Sequence, residues 1–410
     1  MKQGIDIHNY PKRMESALAN LKKDSISEEN KDLILKFYEQ CVLEGLSKPH
    51  IIKYIYILRV IARELNKGLD IATKSDIQSF VRYIQETNFS MYTKHAYKIA
   101  LKKFYKWLKG NNEEYPEEVK WLKGNSKKNM KLPASGELVT EEDVKRLIEV
   151  GENSRDKALV SMLYESGCRI GEIATLQIYN VKFDDYGVLI NVEGKTGSRQ
   201  IRLVASVPHI ATWLQNHPLK ENRLAPLWIT IGTKNHNQLL QYGALRALLR
   251  RLFKRAHIDK KMNPHSFRHA RASFMANHLT EFQMNQYFGW TQGSNMAAVY
   301  VHLSGKETDA AILELNGFKT EEHKNHRQSL LKPKKCSRCD TINSHESKFC
   351  SKCAAPLDIQ TAIQIEEARK EEIKLRAESD QIMNNLLKDE KVREFLLQMI
   401  KEKGLNNISS

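Results

Sequence analysis

Apolar positions recur with a helical period from about Ile26 to Lys123; the pattern then breaks, turns mixed, and finally becomes almost wholly charged. In the first stretch Leu33, Ile34, Leu35, Phe37 and Tyr38 open one helix. The run from Lys53 to Ala62 is apolar on most sides, which predicts a helix buried in a core. The plainest helix covers Tyr92 to Leu108, where Tyr97, Leu101, Phe104 and Leu108 recur at three- and four-residue spacing and share one face. Beside that seam Lys94, Lys98, Lys102 and Lys106 form a stripe. Such a helix packs on a small bundle and turns its cations either to solvent or to a phosphate backbone.

Residues 124–134 are basic, poor in apolar side chains and close on Pro133, which cannot continue a helix; they read as a linker. Thr140-Glu141-Glu142-Asp143 marks the next helix start, with a threonine cap and acids on the first turn. A helix over Ala158 to Glu165 follows. Tyr186 to Val192 and Arg199 to Val204 read as two strands, joined by a hairpin loop at Gly194-Lys195-Thr196-Gly197. After Tyr242 the pattern is helical to about Leu315. The expected fold is mainly α with a small antiparallel β-sheet: a helical domain over 26–123 and a mixed α/β domain over 135–318. Beyond a basic connector lie a cysteine-bearing segment, 331–358, and a charged helix, 360–404. The apolar positions of that helix are irregular and fit either a coiled coil or a bundle helix.

Lysine and arginine number 65 against 49 acids, a formal charge of +16. That excess points to a polyanionic partner, nucleic acid first, or to a lysine-rich solvated surface. The N-terminal stretch is polar, unlike a secretory signal, and no apolar run nears the roughly 20 residues that span a bilayer. The expectation is therefore a cytoplasmic protein with no membrane association. Cys41 and Cys168 stand alone, whereas Cys336, Cys339, Cys350 and Cys353 form two Cys-x-x-Cys pairs. Two such pairs close a tetrahedral site, read here as a structural zinc ribbon; a redox dithiol and an iron–sulfur site are the alternatives.

The candidate chemistry lies between these regions. Arg169 follows Gly167 and precedes a helical run, so a guanidinium can fork onto phosphate oxygens where the backbone permits close approach. Lys195 sits at the hairpin tip. His265 and Arg268 lie three residues apart and share a helix face. Trp290 offers an indole N–H, and Tyr300 a phenol. Each is weak evidence alone; the set is one kit for phosphodiester chemistry, with no glycine-rich nucleotide loop and no cluster of metal-binding acids beside it.

In this order the residues resemble the signature of the tyrosine recombinase (phage integrase) family: Gly167-Cys168-Arg169-Ile170-Gly171-Glu172, Lys195 in a hairpin, His265-Ser266-Phe267-Arg268-His269, Gly289-Trp290, and Tyr300-Val301-His302. Trp290 stands where many members carry histidine. The tract around it is similar to archaeal members, and the appended cysteine segment is atypical. The resemblance covers about residues 26–318 and implies a helical core-binding domain followed by a catalytic domain. It implies a site-specific recombinase that cuts and rejoins double-stranded DNA through a covalent 3′-phosphotyrosine, as a tetramer on two sites, without metal or ATP. In that scheme Tyr300 is the nucleophile, Arg169 and Arg268 hold the phosphate, and Trp290 donates a further hydrogen bond. His265 takes the tyrosine proton, Lys195 protonates the leaving oxygen, and Glu172 and His302 support the site. Glu307 to Leu315 and Gln360 to Lys403 are the two candidate oligomerisation segments. A DNA-binding protein with a decayed recombinase fold, and a type IB topoisomerase-like relaxing enzyme, are the competing readings.

Overall fold

The computed structural model describes residues 5–110, 114–123, 135–194, 196–233, 235–276, 278–301, 316–317, 329 and 331–402. Contacts divide the chain into two units: Met1–Leu138 with Trp228–Leu249, and Val139–Leu227 with Arg250–Ser410.

The first unit is helical: α1 (Tyr10–Lys22), α2 (Glu28–Leu43), α3 (Lys48–Leu65), α4 (Lys74–Glu86), α5 (Met91–Leu108) and the short α6 (Glu117–Lys120). Side-chain caps start most of them. Ser27 and Ser90 accept from backbone N–H groups in the first turn, and Thr73 and Asp76 form a reciprocal capping box. The apolar run that predicts a buried helix is α3, which buries Ile51, Ile52, Ile55, Ile57, Leu58, Ile61 and Ala62. The α5 seam faces the same core: Tyr97, Leu101 and Phe104 are buried, Leu108 packs against the cluster, and Phe104 meets Phe37 edge-on at 5.2 Å. Asp24 is buried in the turn before α2 and accepts from Arg63 Nη2 and Nε at 2.7 Å and from Arg59 Nε at 2.5 Å, which ties α3 to that turn.

The apolar pattern gives no sign of α1. Asn9 caps it, Pro11 sits in its first turn, and it buries only Ala17 and Leu21 against its neighbours, α3 foremost. Two anchors are too few to show a period. The segment Trp228–Leu249 also falls in this unit by its contacts, although it lies inside the span 135–318. The backbone N–H of Tyr242 donates to the Ile7 carbonyl at 2.9 Å, and the Tyr242 ring meets His8.

The second unit is built around a helix with no polar face. Thr140 and Asp143 cap α7 (Glu141–Glu149) reciprocally, as the sequence predicts. Every residue of α8 (Ser154–Ser166) from Ala158 onward is buried, and α8 packs against α7, β3 (Gly197–Leu203), α10 (Val207–Gln215) and α12 (Pro264–Met275). After α8 come the one-turn α9 (Ile170–Ala174) and an antiparallel meander of β1 (Val181–Asp184), β2 (Gly187–Gly194) and β3, with Glu193 paired to Ser198 and Gly194 to Gly197. Val188, Ile190 and Val192 alternate inward on β2, as do Ile201 and Leu203 on β3. The strand β1 is absent from the sequence reading because only Val181 of its four residues is buried.

Among the described residues, α11 (Tyr242–Arg255), α13 (Glu281–Phe288) and α14 (Met296–Val301) complete the helices before the cysteine segment. That segment has a two-stranded ribbon, β4 (Lys334–Lys335) and β5 (Ile342–Asn343). The terminal α15 (Ile359–Leu386) and α16 (Glu390–Glu402) follow, and α15 buries only Thr361. Where one helix was expected over 360–404 there are two, interrupted at Leu387–Asp389.

Leu58, fully buried in α3, and Leu375, 59% exposed on α15, are chemically alike in different surroundings. Leu58→Ala should cost about 2–5 kcal/mol and Leu375→Ala less than about 0.5 kcal/mol, checked by urea unfolding midpoints.

Candidate active site

The buried helix α8 ends at Gly167 in a left-handed turn (φ 56°), and a Cβ there would meet the Phe288 ring at 2.6 Å. Glycine is therefore required both by conformation and by space. The turn delivers Arg169 to the N-cap of α9. Its backbone N–H donates to Glu172 Oε2 and its Nη1 to Glu172 Oε1, each at 2.9 Å. From the sheet Arg199 approaches the same carboxylate: Nη2 donates to Oε2 at 2.8 Å and Nη1 to Oε1 at 3.2 Å, while Nε donates to the Tyr287 carbonyl at 2.8 Å. Glu172 is 4% exposed between the two guanidinium groups. Burial pushes its pKa up, but the hydrogen bonds and charge of Arg199, followed by those of Arg169, outweigh this and hold it below the usual carboxylate range. The clamp is tight on all sides, since a Cβ on Gly194 would meet Glu172 Oε1 and one on Gly289 would meet Arg199 Nη1 at 2.8 Å.

Arg268 is buried on α12. Nη1 donates to the Gly167 carbonyl at 3.1 Å and Nη2 to the Phe288 carbonyl at 2.7 Å, and its guanidinium carbon lies 5.4 Å from the centre of the Trp290 ring. Burial, then the charge of Arg169, lowers its pKa to about 10, so it stays charged at neutral pH in a place short of negative charge. Trp290 lies between two rings: Phe288 at 4.9 Å and Tyr300 at 5.6 Å, the latter almost parallel at 5°. Tyr300, on α14, is buried, and burial pushes its phenol up to about 12, with Arg268 pulling the other way. The hydroxyl is hydrogen bonded to His269 Nδ1 at 2.5 Å. His265, one turn earlier on α12, is exposed; desolvation, then Arg268 and Arg169, lower its pKa. The residue expected to take the tyrosine proton is His265, whereas the ring bonded to the phenol is that of His269.

Arg169, Glu172, His265, Arg268, Trp290 and Tyr300 thus all fall in the second unit; bonds and ring contacts join Arg169 to Glu172 and Arg268 through Trp290 to Tyr300, and His265 stands one turn from His269 in the field of the two arginines. Lys195 and His302 lie outside the described residues, as does the span Glu307–Leu315. Sequence reasoning missed Arg199 and gave His269 no role. Both leave a signal: Arg199 is in phase with the inward-facing Ile201 and Leu203, an arginine on the core side of a strand, and His269 is four residues from His265. Cys168, beside Arg199, is buried, and burial pushes its thiol up to about 11.

Residues 137–307 match the model of the phage integrase family. The chain is 25% identical over 286 residues to the tyrosine recombinase XerA of Pyrococcus horikoshii, covering 69% of this chain and 93% of that one. It is 25% identical over 288 residues to XerA of Pyrococcus furiosus, covering 70% and 94%. Residues 137–307 thus carry a phage integrase family domain, and the chain is similar to tyrosine recombinases over about 70% of its length. The family's fold is seen also in the XerH recombinase bound to palindromic difH in a post-cleavage complex (TM-score 0.52, 18% identity, 76% of this chain and 98% of that one). A lambda integrase dimer bound to a core site gives TM-score 0.51 at 15% identity, over 70% and 80% of the two chains.

The chain has two further sets of expected site residues. The α5 lysines are half-buried, and some already hold internal partners: Lys94 Nζ donates to the Gln85 carbonyl at 2.6 Å and Lys102 Nζ to the Leu122 carbonyl at 3.3 Å. Lys102 and Lys106 both lie over the Tyr115 ring, at 4.0 and 5.4 Å, and Lys98 joins none of these contacts. The stripe is therefore partly folded into its own unit rather than wholly presented outward. The four thiols of Cys336, Cys339, Cys350 and Cys353 lie within 4.8 Å of one another. In each pair the first sulfur accepts a backbone N–H two residues on, from Arg338 and from Lys352, both at 3.4 Å. Those donors suit thiolates, so the donor set fits a soft, four-coordinate metal ion.

Arg199→Met removes one of the two cations from a buried carboxylate and should cost roughly 3 kcal/mol. Adding Glu172→Gln to that variant should return part of the loss, read as thermal unfolding midpoints of the single and double variants.

Proposed function

We propose that this chain is a site-specific DNA recombinase that cuts and rejoins double-stranded DNA through a phosphotyrosine bond at Tyr300. One observation carries the reading: a buried, charge-strained Arg268 beside Arg169, with the Tyr300 phenol stacked on the same Trp290 that Arg268 covers. A buried guanidinium whose pKa is lowered by burial and by a neighbouring guanidinium gains from an anion placed beside both, and a phosphodiester supplies one bidentate oxygen pair. The Tyr300 oxygen attacks phosphorus, the bond to the 5′ oxygen breaks, and the energy of the broken bond is kept in the protein–DNA link for rejoining. Arg169 and Arg268 stabilise the charge that grows on the non-bridging oxygens, and the Trp290 indole N–H adds a donor. Lys195 protonates the departing 5′ oxygen, and Glu172 sets the position of Arg169. The cations do the work that a divalent metal does in other phosphoryl transfers, so neither metal nor ATP enters the chemical step.

The same reading places the protein in the cytoplasm, as a tetramer on two DNA sites; among the described residues no helix is long and apolar enough to cross a membrane. The cysteine set holds a structural zinc ion, closed by four protein ligands, and the helical domain over 26–123 binds DNA through the lysines of α5.

Incubation with supercoiled plasmids bearing a randomised insert, followed by SDS, should trap a covalent adduct in EDTA as well as without it. Tyr300→Phe should abolish the adduct and Arg268→Ala should slow it by about 100- to 1000-fold; strict metal dependence would sink the reading. Elemental analysis should find one zinc per chain, lost in Cys336→Ser. Removing it should unfold residues 336–357 while adduct formation persists.

A further inference from the structure

We propose that His269, through Nδ1, accepts the phenolic proton of Tyr300 when that tyrosine attacks the phosphate, a role that rests on the recombinase reading above. The two atoms already share a 2.5 Å hydrogen bond. His265 and His269 lie one turn apart on α12, with Arg268 between them in sequence. Their surroundings divide the work. His265 is exposed and lies in the field of Arg268 and Arg169, where the phosphate binds. His269 is half-buried against the nucleophile.

A buried phenol is a poor nucleophile until its proton leaves, and an acceptor must be within hydrogen-bond reach. Burial, then His265 and Arg268, keep the His269 ring neutral near pH 7, so its lone pair is open to a proton. With Nε2 carrying the ring hydrogen, Nδ1 takes the phenolic proton as the Tyr300 oxygen bonds to phosphorus. The bond to the 5′ oxygen breaks, and that oxygen gains its proton from a second acid, Lys195 in the scheme above. His269 is left as imidazolium. On rejoining, the 5′ hydroxyl returns its proton to the now neutral Lys195 as its oxygen bonds to phosphorus, the phosphotyrosine bond breaks, and the imidazolium returns its proton to the leaving phenolate. One histidine thus serves as base in cleavage and acid in rejoining, next to the same oxygen.

The test is single-turnover adduct formation by the full chain on a pool of nicked duplexes with a randomised centre, comparing His269→Ala and His269→Gln with the unaltered protein. Glutamine keeps side-chain volume and a hydrogen-bond acceptor but takes no proton. Both variants should lose at least about 100-fold in rate, with DNA affinity in gel shifts unchanged, and free imidazole should partly restore His269→Ala but not His269→Gln. A rate for His269→Gln within about threefold of the unaltered protein would show that the ring only positions the phenol, and would overturn the proposal. So would absence of imidazole rescue in a His269→Ala protein that binds DNA normally. No adduct from the unaltered protein would instead count against the recombinase reading. Independently of DNA, 3-fluorotyrosine at position 300 should show a changed fluorine resonance in His269→Ala; an unchanged resonance would remove the contact on which the role depends.

Discussion

The second unit depends on one buried carboxylate. Glu172 receives a guanidinium from α9 and another from β3, and through Arg199 it reaches the Tyr287 carbonyl on α13. Three segments far apart in sequence are thereby fixed around two oxygen atoms. An ion pair of this depth adds little net stability, because stripping water from the charges offsets their attraction. What it adds is geometry: Arg169 cannot wander when its carboxylate partner is itself held from the other side. The glycines at 194 and 289 follow from the same constraint, since any side chain there would enter the clamp.

The chemistry is arranged in two layers beyond that clamp. Arg268 is aimed by two backbone carbonyls, one of them from the residue that ends α8. Trp290 then spaces Arg268 from Tyr300, with its ring stacked on the phenol. An indole cannot exchange protons near neutral pH, so proton traffic must run through other groups. The ring bonded to the phenol belongs to His269, one helical turn from the histidine that the motif brings forward.

Much of this was legible in the sequence for physical reasons. The α5 seam, the Thr140 cap and the β2–β3 hairpin are local patterns, written in spacing and in capping chemistry. That Arg169, His265, Arg268, Trp290 and Tyr300 form one candidate set was legible because one spacing of motifs agrees with one chemistry. What escaped reading was non-local. α1 has two buried anchors and so no period; Arg199 gains its meaning only when β3 lies beside α9. The affiliation of Trp228–Leu249 with the first unit, marked by a backbone bond from Tyr242 to Ile7, is announced by no local pattern. The α5 lysines show the converse, a clear pattern whose cations the fold partly engages through Tyr115 and two carbonyls.

The burial of α8 carries a consequence for how this protein tolerates change. The helix has no solvent face from Ala158 onward, and within three residues of its end lie the carbonyl that holds Arg268 and the arginine that caps α9. Small shifts in how α8 seats are passed straight to both cations, without a loop to absorb them. Drift in the interior and drift in the reaction centre are thus the same event. A substitution such as one at Leu159 or Leu163, remote from any phosphate, would register as lost chemistry before it registered as an unfolded chain.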